Sequence, residues 1–284
     1  MKILAFLKRA LPFRRNNNAP GRSIKRSYTN RAGTRGYVTY LPARYRGQSL
    51  PLMVMLHGCK QTPEDFAAGT RMNQLADELG FVVVYPAQAR TANLSRCWNW
   101  FWAQNQQRGA GEPSLIAGIT QQVIARYQID PARVYVAGLS AGGAMAAVMG
   151  ATYPELFAAV GIHSGLPYAS ARDAVSALAA MRGRRSEAAP LPAVPTIVFH
   201  GDRDTTVHPR NGEYGLAPQA LHTETGEAGG RAYTRTVHRG RPGLEHWLVH
   251  GAGHAWSGGN ARASYTDPSG PDATREMLRF FAIA

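Results

Sequence analysis

Short apolar runs recur along the chain, separated by stretches whose apolar positions follow a helical period. Tyr37–Leu41 and Leu52–Leu56 read as strands, closed by Pro42 and by His57-Gly58. Residues 63–79 predict a helix: Pro63, Glu64 and Asp65 make an acidic first turn, and Phe66, Leu75 and Leu79 supply an apolar face before Gly80 stops it. Phe81–Tyr85 reads as the next strand. A Trp-rich loop (Cys97–Trp102), a helix over 113–128 and a strand over Val134–Ala137 follow. A tight turn then leads into a helix of small residues over 141–152. Val194–Phe199 and Leu244–His250 read as further strands, and a last helix runs from Asp272, a good N-cap, to Phe281.

Strands alternating with helices predict an α/β domain with a mostly parallel central sheet covered by helices on both faces. Residues 165–190 and 210–240 break the rhythm, and they read as excursions that help wall an active site rather than as separate domains. With 284 residues and 44% hydrophobic side chains, the chain can build one large core. No apolar stretch reaches the roughly 18 to 20 residues a membrane-spanning helix needs, and no repeat suggests a solenoid or propeller.

The formal net charge is +14, but it is unevenly placed. Residues 1–36 hold ten Lys/Arg and no acid, whereas the other 248 residues hold 22 basic and 18 acidic side chains. Residues 1–36 therefore read as a solvated, disordered basic leader that contacts an anionic surface at most, with 37–284 as the single catalytic domain. Nucleic-acid binding by that domain finds no support. Lys2, Lys8 and Arg9 interrupt any apolar signal core and no A-x-A site follows, so extracellular and cytoplasmic locations both stay open.

Gly138-Leu-Ser-Ala-Gly142 is a G-x-S-x-G pentapeptide between a predicted strand and a predicted helix. A turn that sharp brings backbones together and excludes side chains at the glycines. It would raise Ser140 Oγ above the sheet and put the Ala141 N–H at a helix N-terminus, where negative charge is favoured. A serine needs a base to become a nucleophile. Asp202 and Asp204 both follow a strand in His200-Gly-Asp-Arg-Asp204; Asp204 is preferred because its spacing aims the acid across the site, while Asp202 suits the turn. Among nine histidines, His254 in the Gly-rich run His250-Gly-Ala-Gly-His254 is the preferred base, with His250 the nearest rival. Cys59, after His57-Gly58, is the candidate second oxyanion donor through its N–H. Trp98 and Trp256, with His57, are candidate substrate contacts, whereas Trp102 reads as core. No H-E-x-x-H or paired-cysteine motif is present, so neither a metal nor another cofactor is expected.

Taken together, His57-Gly-Cys-Lys-Gln61, Cys97-Trp-Asn-Trp100, Arg108-Gly-Ala-Gly-Glu-Pro113, Asp130-Pro-Ala-Arg-Val-Tyr135, the Gly138–Met145 elbow and Gly253-His-Ala-Trp256 resemble the poly(3-hydroxybutyrate) depolymerase family of esterases over residues 37–282. The resemblance implies an α/β-hydrolase fold, with Ser140 as nucleophile, Asp204 as acid, His254 as base and the Cys59 N–H in the oxyanion hole. It also implies a Cys59–Cys97 disulfide, which suits an oxidising, extracellular setting. The expected reaction is hydrolysis of a short 3-hydroxyalkanoate polyester or oligomer through an acyl-enzyme. Feruloyl or acetylxylan esters, acyl transfer on the same triad, and a binding module tethered to a polyanion by its basic leader remain as alternatives.

Overall fold

The computed structural model describes residues 20–184, 193–213, 220–238 and 243–284. In chain order the strands are β1 (Arg22–Asn30), β2 (Gly33–Leu41), β3 (Leu50–Leu56), β4 (Val82–Pro86), β5 (Ile129–Leu139), β6 (Ala159–His163), β7 (Thr196–Gly201), β8 (Ala220–Ala228), β9 (Arg231–His238), β10 (Leu244–Val249), β11 (Trp256–Ser257) and β12 (Thr266–Asp267). The helices are α1 (Pro63–Thr70), α2 (Met72–Leu79), α3 (Gly111–Tyr127), α4 (Ala141–Thr152), α5 (Ala174–Met181) and α6 (Ala273–Phe280). Ten strands form one sheet in the order β1-β2-β4-β3-β5-β6-β7-β10-β9-β8. The six strands from β4 to β10 run parallel, and the outer strands on both sides are antiparallel. Each face of the sheet packs its own apolar cluster, one under α3 and α4, the other under α1, α2 and α6. This is the doubly covered sheet that the alternating pattern predicts.

The parallel strands end on one edge, where sites of open α/β sheets gather. β3, β5, β7 and β10 each run directly into a candidate segment there: His57–Cys59, Ser140, Asp202–Asp204 and His250–His254.

Four expectations need correcting. Residues 22–36 are not leader: β1 pairs with β2 without a break from Arg22↔Leu41 to Asn30↔Gly33. Ile24 and Tyr28 pack on the core, while Arg22, Lys25 and Arg26 stay exposed and leave a charged edge that resists pairing with another chain. Residues 1–19 of the expected leader lie outside the described residues. The helix expected over 63–79 is two helices, broken at Arg71, whose backbone is left-handed (φ 55°). Its guanidinium donates to the Gly258 and Gly259 carbonyls, at 2.6 and 3.0 Å.

β6 escaped the pattern because its run is diluted by small residues. Gly161 must be small, since a side-chain carbon there would lie 2.8 Å from Met277 Sδ and 2.9 Å from Ala137 Cβ. The described part of 210–240, expected as an irregular excursion, is mostly the antiparallel β8–β9 hairpin, which extends the sheet beyond β10. Arg235 pins it by bridging Glu224 and the buried Glu245, at 3.0 and 2.9 Å. The expected excursion over 165–190 contains α5, capped by Asp173; its residues 185–190, and 214–219 and 239–240 of the other, lie outside the described residues.

Candidate active site

Ser140 closes β5 and caps α4 with φ 58° and ψ −120°, the strained geometry of a sharp strand-to-helix turn. The glycines permit it. A side-chain carbon on Gly142 would lie inside 3 Å of the Leu56 and His57 carbonyls, and one on Gly138 would meet the backbone of Gly142. Gly58 also passes close by: a carbon added there would sit 3.6 Å from Ser140 Cβ.

Two N–H groups flank the serine. That of Ala141 lies in the first turn of α4, where no intrahelical acceptor exists. On the other side the Gly58 N–H is already committed to Gln61 Oε1 at 2.9 Å, and Gln61 is held in turn by Ser264 O at 3.0 Å. The Cys59 N–H has no protein acceptor among the described residues. Gln61 thus freezes the turn and leaves Cys59 as the open donor. Cys59 and Cys97 are disulfide-bonded across a sequence separation of 38. A loop of that length contributes about 4 kcal/mol in the chain-entropy account.

The Trp-rich loop is braced from below by residues whose role the sequence pattern does not reveal. Glu112, buried at the start of α3, accepts from the Asn99 N–H at 2.7 Å and from Gln88 Nε2, and pairs with buried Arg35 at 3.4 Å. Gln88 Nε2 also donates to the Cys97 carbonyl at 2.9 Å. His57 belongs to this brace rather than to a substrate pocket. Its Nε2 accepts from the Gln88 N–H at 3.1 Å, Nδ1–H donates to Gly58 O at 2.8 Å, and burial lowers its pKa to about 4.

Trp98 and Trp256 are likewise closed off, with N–H groups donated to His57 O and Thr274 Oγ1, at 3.1 and 3.0 Å. All three expected substrate contacts are therefore buried supports. Trp102, expected in the core, is 43% exposed and is the tryptophan that meets solvent.

Asp204 and His254 come together as expected: His254 Nδ1–H donates to Asp204 Oδ2 at 2.7 Å. Asp204 Oδ1 accepts from the Thr206 and Val207 N–H groups at 2.9 and 2.8 Å, and His200 Nε2 lies 3.5 Å from Oδ2. Burial alone would raise the Asp204 pKa, but the hydrogen bonds from His200 and His254 and the backbone donors outweigh it, holding the carboxylate well below its usual range. The base loop seats on β7, where a carbon added to Gly201 would collide with the Ala252 and Gly253 carbonyls. Neither Ser140 Oγ nor His254 Nε2 bonds to protein among the described residues, so the acid–base link is formed and the base–serine link is not. Catalytic hydrogen bonds of this kind commonly tighten only when substrate is bound.

The family model for esterase PHB depolymerase matches residues 35–226 of the chain. A poly(3-hydroxyalkanoate) depolymerase C of Paucimonas lemoignei is 37% identical over 57% of the chain and 42% of that protein. A feruloyl esterase B of Neurospora crassa is 41% identical over 49% of the chain and 47% of that protein. A probable acetylxylan esterase A of Aspergillus fumigatus is 29% identical over 80% of the chain and 67% of that protein. The chain spans less than half the length of the first two. Among solved structures, an acetyl xylan esterase from Aspergillus awamori superposes with a TM-score of 0.76 over 93% of the chain and 100% of its own, at 21% identity. That likeness establishes the α/β-hydrolase fold.

Proposed function

The chain belongs to the esterase PHB depolymerase family, and from that premise we propose that it is a serine esterase working through an acyl-enzyme. The observation that carries the reading is the hydrogen bond of His254 to the buried Asp204 carboxylate, on a loop beside a strained elbow serine. Ser140 Oγ attacks the ester carbonyl while His254 Nε2 takes its proton. Asp204 holds the proton on Nδ1, fixing the tautomer that leaves Nε2 basic, and steadies the imidazolium that forms. The Cys59 and Ala141 N–H groups receive the oxyanion, and donors of this kind are each worth about 3–4 kcal/mol in a dry site. His254 returns its proton to the leaving alcohol, then activates the water that hydrolyses the acyl-enzyme.

A short 3-hydroxyalkanoate ester is the first substrate class, supported by the family and by the depolymerase relative. A carbohydrate ester is the second, favoured by the long coverage of the acetylxylan esterase relative. Hydrolysis of p-nitrophenyl acetate, butyrate and octanoate by the wild type and by Ser140→Ala tests the chemistry; equal rates in the two proteins would end the reading. A 3-hydroxybutyrate dimer and acetylated xylo-oligosaccharides, assayed side by side, separate the substrate classes.

A further inference from the structure

His163 plays no part in the chemistry above, yet it touches both halves of the site. Its carbonyl, at the end of β6, accepts the Ser140 N–H at 2.9 Å, so the nucleophile's backbone hangs from this residue. Its ring lies on the other side of the same residue, where Nε2 accepts the Ser257 N–H at 3.0 Å. Ser257 is three residues beyond His254, at the end of the base loop. The ring is clamped between Trp256, with centroids 5.0 Å apart and 24° between planes, and Phe199, at 5.8 Å and 14°.

The protonation state follows from the partners. An Nε2 that accepts from an amide must carry no proton, so the proton sits on Nδ1, which faces Ser164 Oγ at 3.2 Å. Complete burial, helped by the nearby His200 and His254, lowers the ring's pKa to about 3, so the acceptor persists at any working pH.

The base loop needs such an anchor. His254 is preceded by Gly251, at φ 71°, and by Gly253, around whose missing side chain no atom lies within 4 Å. Upstream of His254 the loop is held to the turn after β7, where the Arg203 N–H donates to Ala252 O at 3.0 Å and the Gly251 N–H to Asp202 Oδ1 at 2.7 Å, and not to the elbow. Downstream, β11 pairs with β12, and the Trp256 N–H donates to Tyr265 O at 2.8 Å; neither contact refers the loop to the serine. The link that does so runs from the Ser140 N–H to the His163 carbonyl, through its ring, to the Ser257 N–H.

Resting on the esterase reading, we propose that His163 is a positioning residue that sets the separation between Ser140 and His254 by bonding the elbow through its backbone and the base loop through its ring. It touches no substrate. A displacement of about 1 Å between reacting groups can cost on the order of 100-fold in rate. The effect should therefore fall on turnover rather than on substrate binding.

The test compares His163→Phe, which keeps the stacked ring and loses the acceptor, with His163→Gln, whose Oε1 can accept the Ser257 N–H but which loses the stack. Steady-state hydrolysis of p-nitrophenyl butyrate is measured well below each variant's melting temperature, with Ser140→Ala alongside. The expected result is a 10- to 100-fold lower kcat for His163→Phe with KM within about twofold, and a kcat for His163→Gln within about threefold of wild type. Rescue by Gln, although Phe preserves more packing, is a pattern that simple loss of core would not produce. Phe matching or exceeding Gln in kcat overturns the proposal, as does a change in KM alone. If His163→Phe does not fold, His163→Gln decides by itself: a loss beyond about 100-fold counts against the anchor, and retention within threefold supports it. Unchanged activity in Ser140→Ala would instead strike the esterase reading and leave its signature distinct.

Discussion

Two Asp–His pairs stand within a few residues of each other on the loops after β7 and β10. In one, His254 Nδ1 meets Asp204 at 2.7 Å; in the other, His250 Nδ1 meets Asp202 at 3.0 Å. By residue type and distance the two are nearly equivalent. Their surroundings differ. The side chains of Asp204 and His254 are 0% and 12% exposed, against 34% and 38% for Asp202 and His250. His250 has spent its second nitrogen on Thr234 Oγ1 at 2.9 Å, whereas His254 Nε2 has no protein partner among the described residues. An Asp–His bond is thus not in itself a catalytic device. The proposed triad takes the pair whose acid is desolvated and already saturated by donors, and whose outer nitrogen is left unspent for a substrate proton.

The largest expected effect breaks the comparison at the carboxylate. Asp204→Asn should lower kcat/KM by about 10⁴-fold, because an amide favours the wrong imidazole tautomer and cannot steady the cation. Asp202→Asn should leave kcat/KM within about twofold, since the exposed pair touches neither serine nor oxyanion donors. Stopped assays of both variants on p-nitrophenyl butyrate check this, and equal losses would show that the two pairs act as one unit.

The sequence distinguishes these pairs only in part, for physical reasons. Glycines forced by close approach are visible: Gly138 and Gly142 mark the elbow, and the H-G-x-x-D and G-A-G-H spacings mark the loops that carry acid and base. The central strands other than β6 are legible because parallel strands buried on both faces read as continuous apolar runs. Polarity misleads at the edges. β1 and β8 expose most of one face and β9 is mostly half-buried, so their Arg, Thr and Glu residues read as leader and loop although their backbones complete the sheet. Hidden altogether are pairings made by backbone groups at long range. Nothing in the residues near His163 announces an amide 94 positions away, and nothing near Glu112 announces Asn99 and Gln88 as its partners. The tryptophans invert for a related reason: Trp98 and Trp256 find buried acceptors for their N–H groups, and that inventory appears only in three dimensions.

Acid sharpens the contrast by separating buried neutral histidines from the buried carboxylate. Burial lowers the pKa of His57 to about 4 and of His163 and His246 to about 3, so the folded protein leaves all three unprotonated where the unfolded chain protonates them. Their contribution to stability is complete above the unfolded value near 6.5 and is lost as pH falls toward the folded values. Asp204 behaves differently in range: its depressed pKa contributes stability present above about 3.8 and lost only as pH falls through its lower folded value. Between pH 6 and 5 the decline therefore belongs to the histidines, and the Asp204–His254 bond outlasts it. Urea unfolding followed across this range should approach a slope of three protons, about 4 kcal/mol per pH unit. Asp204→Asn should leave that slope unchanged, lower stability by a constant amount above about pH 4, and lose that difference only as pH falls further. A flat profile from pH 6 to 5 would mean that these imidazoles are not held neutral.

The smallest effect is a stability measurement on the exposed pair. Asp202 Oδ1 accepts the Gly251 N–H at 2.7 Å, where the glycine is left-handed, and Oδ2 faces His250. Asp202→Asn keeps an oxygen for the Gly251 amide and replaces the charged acceptor facing His250 by an amide, and a partly exposed ion pair of this kind is worth about 0–1 kcal/mol. For a chain of this size that is a melting shift of at most about 4 °C. Salt should erase the difference, because solvent-exposed charges are screened within about 3 Å at 1 M. A larger loss that persists in salt would mean that Asp202 braces the base loop through geometry rather than charge. Asp202 would then be a structural partner of His254's loop, and the outer nitrogen left unspent on His254 but not on His250 would remain the difference between the pairs.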